Sequence, residues 1–150
     1  MEAIIFIGIP GAGKTTFYRE RFFDTHVRIN LDMLRTRERE RLLLNACIQG
    51  KQPFVVDNTN VAVEDRARYI APAKAASFRI AGYFFPVELR AAIKRNSLRS
   101  RGQVVPVPGV IAKFKKLQAP TLEEGFDEIY SVEIDPGNHF VVQPQSIPDA

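Results

Sequence analysis

The chain has 150 residues, 45% of them hydrophobic and 25% charged, with a formal net charge of +4. A chain of this length forms one domain with a full core, and its composition excludes a disordered, collagen-like or coiled-coil protein. Its one cysteine, Cys47, excludes an intramolecular disulfide framework. The longest apolar run, Ala3 to Ile9, is too short to span a bilayer, and Glu2 stands where a secretory leader carries Lys or Arg. The expectation is a single domain over 1–150, cytoplasmic, with no membrane partner; the oligomeric state stays open. The charge is uneven: residues 79–116 hold nine basic residues and one acidic, while 117–150 hold no basic residue and seven acidic ones. Such a basic block is either a solvated helical surface or a surface that meets an anion.

Ala3-Ile4-Ile5-Phe6-Ile7 is apolar without alternation, which suits a strand buried on both faces. Lys14 to Phe23 has no breaker and reads as a helix, with Phe17, Phe22 and Phe23 packing it on the sheet. Val27–Ile29 is a short strand. Leu31 to Cys47 carries apolar residues near helical spacing around the charged run 35–41, and reads as one helix ended by Gly50. Phe54-Val55-Val56 is the second buried strand, stopped by Asp57-Asn58. Glu64 to Ala76 reads as a helix with a kink at Pro72. Phe78 to Phe85 is a strand, Val87 to Ser100 a helix, Gly102 to Pro108 a loop and Gly109 to Gln118 a further helix. Ile129 to Ile134 is the last core strand, His139 to Val142 a candidate edge strand, and 143–150 a loose tail. This alternation predicts an α/β fold: a mostly parallel five-stranded sheet with helices on both faces.

Gly8-Ile9-Pro10-Gly11-Ala12-Gly13-Lys14-Thr15 matches G-x-x-x-x-G-K-[ST], between a buried strand and a helix. Glycines let the backbone N–H groups at Gly11, Ala12 and Gly13 turn toward one anion, and the helix adds its positive end. Lys14 reaches the β- and γ-phosphates, the Thr15 hydroxyl suits Mg²⁺, and Thr16 donates to a phosphate oxygen. The motif points to ATP or GTP. Asp57, at the end of a buried strand, is placed to support the Mg²⁺ shell; as a bare pattern, Asp57-Asn58-Thr59-Asn60 is also an ordinary polar turn. Asn58 stands where motor ATPases carry a hydrolytic Glu, and the Asn-Lys-x-Asp guanine signature is absent. Transfer to an acceptor is thereby favoured over hydrolysis.

Asp32 and Arg35 lie three apart at a helix start and can share a face. They are either a carboxylate that takes a proton from an attacking hydroxyl with an arginine for the acceptor's phosphate, or a cap-region acid and a surface charge. Arg95 and Arg99, at i and i+4 in the basic block, either close over phosphates as a lid or belong to a solvated helix.

Taken together, Gly8–Thr16, Asn30-Leu31-Asp32 with Arg35, Asp57–Asn60 and Arg95-Asn96-Ser97-Leu98-Arg99 resemble the kinase module of the polynucleotide 5′-kinase family. More broadly the chain is similar to small P-loop kinases, zeta-toxin-like and AAA-type enzymes among them, over roughly residues 1–135. The resemblance implies a P-loop NTPase fold with a helical lid at about 87–118, ATP and Mg²⁺ as cofactors, and a nucleic-acid 5′ end or a small hydroxyl compound as acceptor. It implies Lys14, Asp32, Arg35, Arg95 and Arg99 as catalytic residues, with Asp32 the general base and Arg35 the acceptor-phosphate contact. It also implies Thr15 and Asp57 at the metal, no 3′-phosphatase activity, and Pro120 to Asp127 near the nucleotide base. Leu31 and Met33 depart from the family's polar residues and suggest a more apolar acceptor pocket.

Overall fold

Five consecutive apolar residues, Ala3–Ile7, leave strand β1 (Glu2–Ile7) no solvent face, and all five are buried. The computed structural model describes residues 1–145. Its other strands are β2 (Val27–Ile29), β3 (Phe54–Val56), β4 (Arg79–Phe84), β5 (Glu128–Ile134) and β6 (Phe140–Pro144). They form one sheet in the order β2-β3-β1-β4-β5-β6, with β1 to β5 parallel and β6 antiparallel to β5. The sheet is therefore six-stranded rather than five: the candidate edge strand pairs with β5 and takes in part of the expected loose tail. Residues 146–150 of that tail lie outside the described residues.

The helices are α1 (Lys14–Arg21), α2 (Leu31–Leu34), α3 (Arg37–Gln49), α4 (Val63–Ala75), α5 (Leu89–Ser97) and α6 (Val107–Lys116). The pleat sends alternate β1 residues to opposite layers. Ala3, Ile5 and Ile7 meet Leu44 and Cys47 of α3 and Tyr69, Ile70 and Ala73 of α4. Ile4 and Phe6 meet Phe17 and Tyr18 of α1 together with Phe85. Phe17 and Phe22 pack there as expected, but Phe23 is 68% exposed, because α1 ends at Arg21 and the chain turns away. A third cluster, Ile9, Val61, Ala92 and Val110, seats α5 and α6 on the end of the sheet where its strands finish. No helix among the described residues is long and apolar enough to cross a membrane.

Leu31 to Cys47 is not one helix. Asn30 caps α2, Arg35 ends it with φ 77, and Thr36 opens α3 by accepting a hydrogen bond from Arg39 N at 3.1 Å. An N-cap threonine with extended backbone outweighs the modest helical preference of the charged run. Pro72, in contrast, does not interrupt α4. It lies in the last turn, where the one bond it forgoes is to the Arg68 carbonyl.

The loop after β3 is anchored from below by Arg66, which is fully buried on α4. Its guanidinium grips both carboxylate oxygens of Glu124 at 2.7 and 3.0 Å and donates to the carbonyls of Asn60, Val61 and Gln118. Glu124 closes a short 3₁₀ turn, Leu122–Glu124, so Pro120 to Asp127 is clamped onto α4 and lies outside the lining of the nucleotide cavity. Removing one partner of a buried, hydrogen-bonded pair strands the other charge. Glu124→Ala is expected to cost about 3–5 kcal/mol in urea unfolding; a loss below about 1 kcal/mol, the scale of an exposed pair, would contradict the clamp.

Candidate nucleotide and acceptor site

Gly11 and Gly13 hold φ of 85 and 95, in the left-handed region that glycine enters freely. A Cβ on Gly11 would stand 2.2 Å from the Ala92 carbonyl oxygen, so α5 packs directly on the loop. Gly8 N donates to Thr59 O at 2.9 Å, which ties the start of the loop to the chain after β3. Lys14 is buried and donates to Gly8 O and Ile9 O at 2.8 and 2.9 Å. Burial pushes its ammonium down to about 8, against the raising effect of Asp57.

Thr15 Oγ1 donates to Asp57 Oδ2 at 3.0 Å, and Arg28 Nε donates to the same oxygen at 2.9 Å. One hydroxyl and one carboxylate make a hard-oxygen donor set that suits Mg²⁺ sharing phosphate oxygens and water. Among the described residues no group of three or more His, Cys, Asp or Glu side chains is placed to hold a metal by itself. Sequence reasoning passed over Arg28; the available signal is an arginine between two apolar residues of a strand.

Asp32 enters the cavity from α2, and two bonds hold that helix to the end of β3. Asn30 Nδ2 donates to Asp57 O at 2.6 Å, and Leu31 N donates to Asn58 Oδ1 at 2.9 Å. Asn58 in turn donates to Glu40 Oε2 at 3.2 Å and to the Tyr69 hydroxyl at 3.1 Å. Glu40, only 2% exposed, also accepts from Tyr69 at 3.0 Å and from Arg37 at 2.8 Å. Burial, with the Glu40 charge beside it, pushes the Tyr69 phenol up and keeps it a neutral donor. Glu40 was hidden as the one buried member of an otherwise exposed charged run.

Arg35 is exposed and does not line the cavity; its left-handed backbone breaks the helical face it was expected to share with Asp32. Arg37, in the first turn of α3, and Arg68 of α4 line it instead. From the lid side, Arg95 donates to Gly11 O at 3.1 Å, and Arg99 and Lys113 face the same space. Buried Asn96 donates to Val105 O at 2.7 Å and accepts from Val105 N at 3.1 Å, fastening α5 to the approach of α6.

The resulting cavity, about 410 Å³, brings together Gly11, Ala12, Gly13, Lys14, Thr15, Thr16, Asp32, Asp57, Arg95 and Arg99. Among the described residues six cationic side chains line it against three carboxylates, Asp32, Asp57 and Asp65, an imbalance that suits polyanionic ligands. A nucleotide's phosphates favour the charged form of Lys14. Affinity is then full below the ligand-free value near 8 and falls as pH rises past it. ADP titrated calorimetrically is expected to bind roughly tenfold more weakly at pH 9.5 than at pH 8, with proton uptake. A flat profile would contradict the placement of Lys14.

Residues 4–120 match the AAA domain family model. The chain is 24% identical over 135 residues to a bifunctional polynucleotide phosphatase/kinase of Schizosaccharomyces pombe. It is 32% identical over 143 residues to a putative bifunctional polynucleotide phosphatase/kinase of Acanthamoeba polyphaga mimivirus. Each alignment covers 87% of this chain and 33% of the relative, so the chain spans about a third of the length of the curated relatives it matches. Among solved structures, a gluconokinase from Sinorhizobium meliloti 1021 superposes with a TM-score of 0.62 at 18% identity, covering 88% of this chain and 82% of that one. The chain belongs to the AAA domain family, and its fold is that of a P-loop kinase.

Proposed function

We propose that the chain transfers the γ-phosphoryl group of ATP to a hydroxyl, foremost the 5′-hydroxyl of a polynucleotide. The observation that carries this reading is the arrangement of charge about Asp32. Lys14, Arg95, Arg99 and Lys113 serve the donor phosphates, while Arg37 and Arg68 approach from α3 and α4, where an acceptor's own phosphate fits. The names of the two curated relatives support the same acceptor class.

In this mechanism the P-loop N–H groups and Lys14 hold the β- and γ-phosphates. Thr15 and Asp57 would hold Mg²⁺, which neutralises phosphate charge. Asp32 accepts the proton as the acceptor oxygen bonds to the γ-phosphorus. The bond from that phosphorus to the β,γ-bridging oxygen breaks, and ADP leaves. Arg95 and Arg99 cover the transferring group and offset its charge, a contribution of position and electrostatics rather than covalent chemistry. Asn58 is committed to Leu31, Glu40 and Tyr69, and as an amide it gives water no general base.

A second reading, a kinase of a sugar or other small hydroxyl compound, draws on the gluconokinase likeness and on Leu31 in the cavity wall. Transfer of label from γ-labelled ATP to 5′-hydroxyl oligonucleotides and to a metabolite panel, run side by side, separates the two. Oligonucleotide labelling supports the first, and labelling of metabolites alone overturns it. Asp32→Ala is expected to lower kcat by about 10²- to 10⁴-fold with ATP binding retained. Near-normal turnover would remove Asp32 as the base. Arg37→Ala and Arg68→Ala are expected to raise the acceptor KM about tenfold, and Arg35→Gly to leave it nearly unchanged. The opposite order would return the acceptor role to Arg35.

A further inference from the structure

Arg37 and Arg68 line a second cavity as well as the first. This space, about 370 Å³, lies between α3 and α4 and is walled by Arg37, Glu40, Arg41, Leu44, Arg68 and Pro72. Tyr69 faces the first cavity and Glu40 the second, so their 3.0 Å hydrogen bond forms part of the partition between them.

Among the described residues three guanidinium groups face the second cavity against one carboxylate, and that carboxylate is already engaged by Arg37, Tyr69 and Asn58. Among the described residues no carboxylate lies within ion-pair distance of Arg68. Arg41 pairs with Glu38 on its own turn, both side chains more than half exposed. Such a pair is weak and readily exchanged for a phosphate. Among the described residues no aromatic side chain lines this space, which leaves it nothing on which to stack a base, and Asn45 is its one neutral polar side chain.

We propose that the second cavity is a subsite for the acceptor chain downstream of its 5′ end, taking a backbone phosphate on Arg41 and Arg68 without regard to base. The subsite rests on the polynucleotide reading given above. A small acceptor ends inside the first cavity and leaves Arg41 unused.

The test uses the whole chain with ATP and two classes of 5′-hydroxyl acceptor: a nucleoside 3′-monophosphate, and single-stranded hexamers of two base compositions. The hexamers are expected to show a KM about tenfold lower than the mononucleotide, and alike for both compositions. Arg41→Gln alters an exposed side chain outside the first cavity. It is expected to raise the hexamer KM about fivefold and to reduce its logarithmic salt slope by about 0.7. Mononucleotide kcat and KM should stay unchanged. A KM independent of length, a strong dependence on base composition, or an Arg41→Gln effect equal for both acceptors overturns the subsite while leaving the polynucleotide reading in place. Absence of transfer to every nucleotide acceptor by the unaltered chain overturns both.

Discussion

Four consecutive polar residues at the end of β3 set the register of the whole site. Asp57 takes Thr15 and Arg28, Asn58 takes the Leu31 amide together with Glu40 and Tyr69, the Thr59 carbonyl takes Gly8 N, and Asn60 Nδ2 reaches Phe6 O. The phosphate loop, α2, α3 and α4 are thereby referred to one short segment. Arg66 holds that segment from beneath through the Asn60 and Val61 carbonyls. Each such bond contributes about 0.5–1.5 kcal/mol net, but leaving a buried partner unpaired costs more. Among the described residues no buried side-chain nitrogen or oxygen lacks a partner. Asp32 is positioned through Asn30 and Asn58 rather than by its own contacts.

Charge is distributed to match. The basic block of residues 79–116 contributes Arg95, Arg99 and Lys113 to the cavity, while its Arg79 is spent elsewhere, on Glu2 and Glu128. Lys115 and Lys116 face water. Arg37 and Arg68, proposed for the acceptor, come from α3 and α4, outside that block, so net charge by segment finds Arg95, Arg99 and Lys113 but misses the second arm of cations. The fold accounts for this: α3 follows β2 and α4 follows β3, neighbouring strands of the sheet, so the two helices pack side by side on one face and bring together arginines far apart in the chain.

What the sequence disclosed was local. The phosphate loop, the buried strands and the cavity-lining pair Arg95 and Arg99 are short patterns contained within a few residues. The break at Arg35 and Thr36 was hidden because a capping threonine within a charged run looks helical by spacing. Its consequence, Arg37 in place of Arg35 at the cavity, follows from that one turn. Glu40, Tyr69, Arg66 and Glu124 take their meaning from partners tens of residues away. By spacing, Leu31 to Cys47 and Glu64 to Ala76 read only as helices, and neither reading anticipates a buried polar bridge. The sixth strand was legible only as a candidate edge at His139 to Val142 and was left out of the strand count, because β6 is a tight antiparallel return next to a Pro-Gly turn, a small addition to an otherwise parallel alternation.

The central claim is that donor and acceptor phosphates bind on opposite sides of Asp32. The most direct measurement is a crystal structure of the chain with a non-hydrolysable ATP analogue and a 5′-hydroxyl oligonucleotide. The account predicts the 5′ oxygen within about 3–3.5 Å of the γ-phosphorus. It also predicts that oxygen hydrogen-bonded to Asp32, with the acceptor's first phosphate on Arg37 and Arg68. An acceptor seated elsewhere, with Asp32 turned to solvent while the nucleotide occupies the loop, would contradict it.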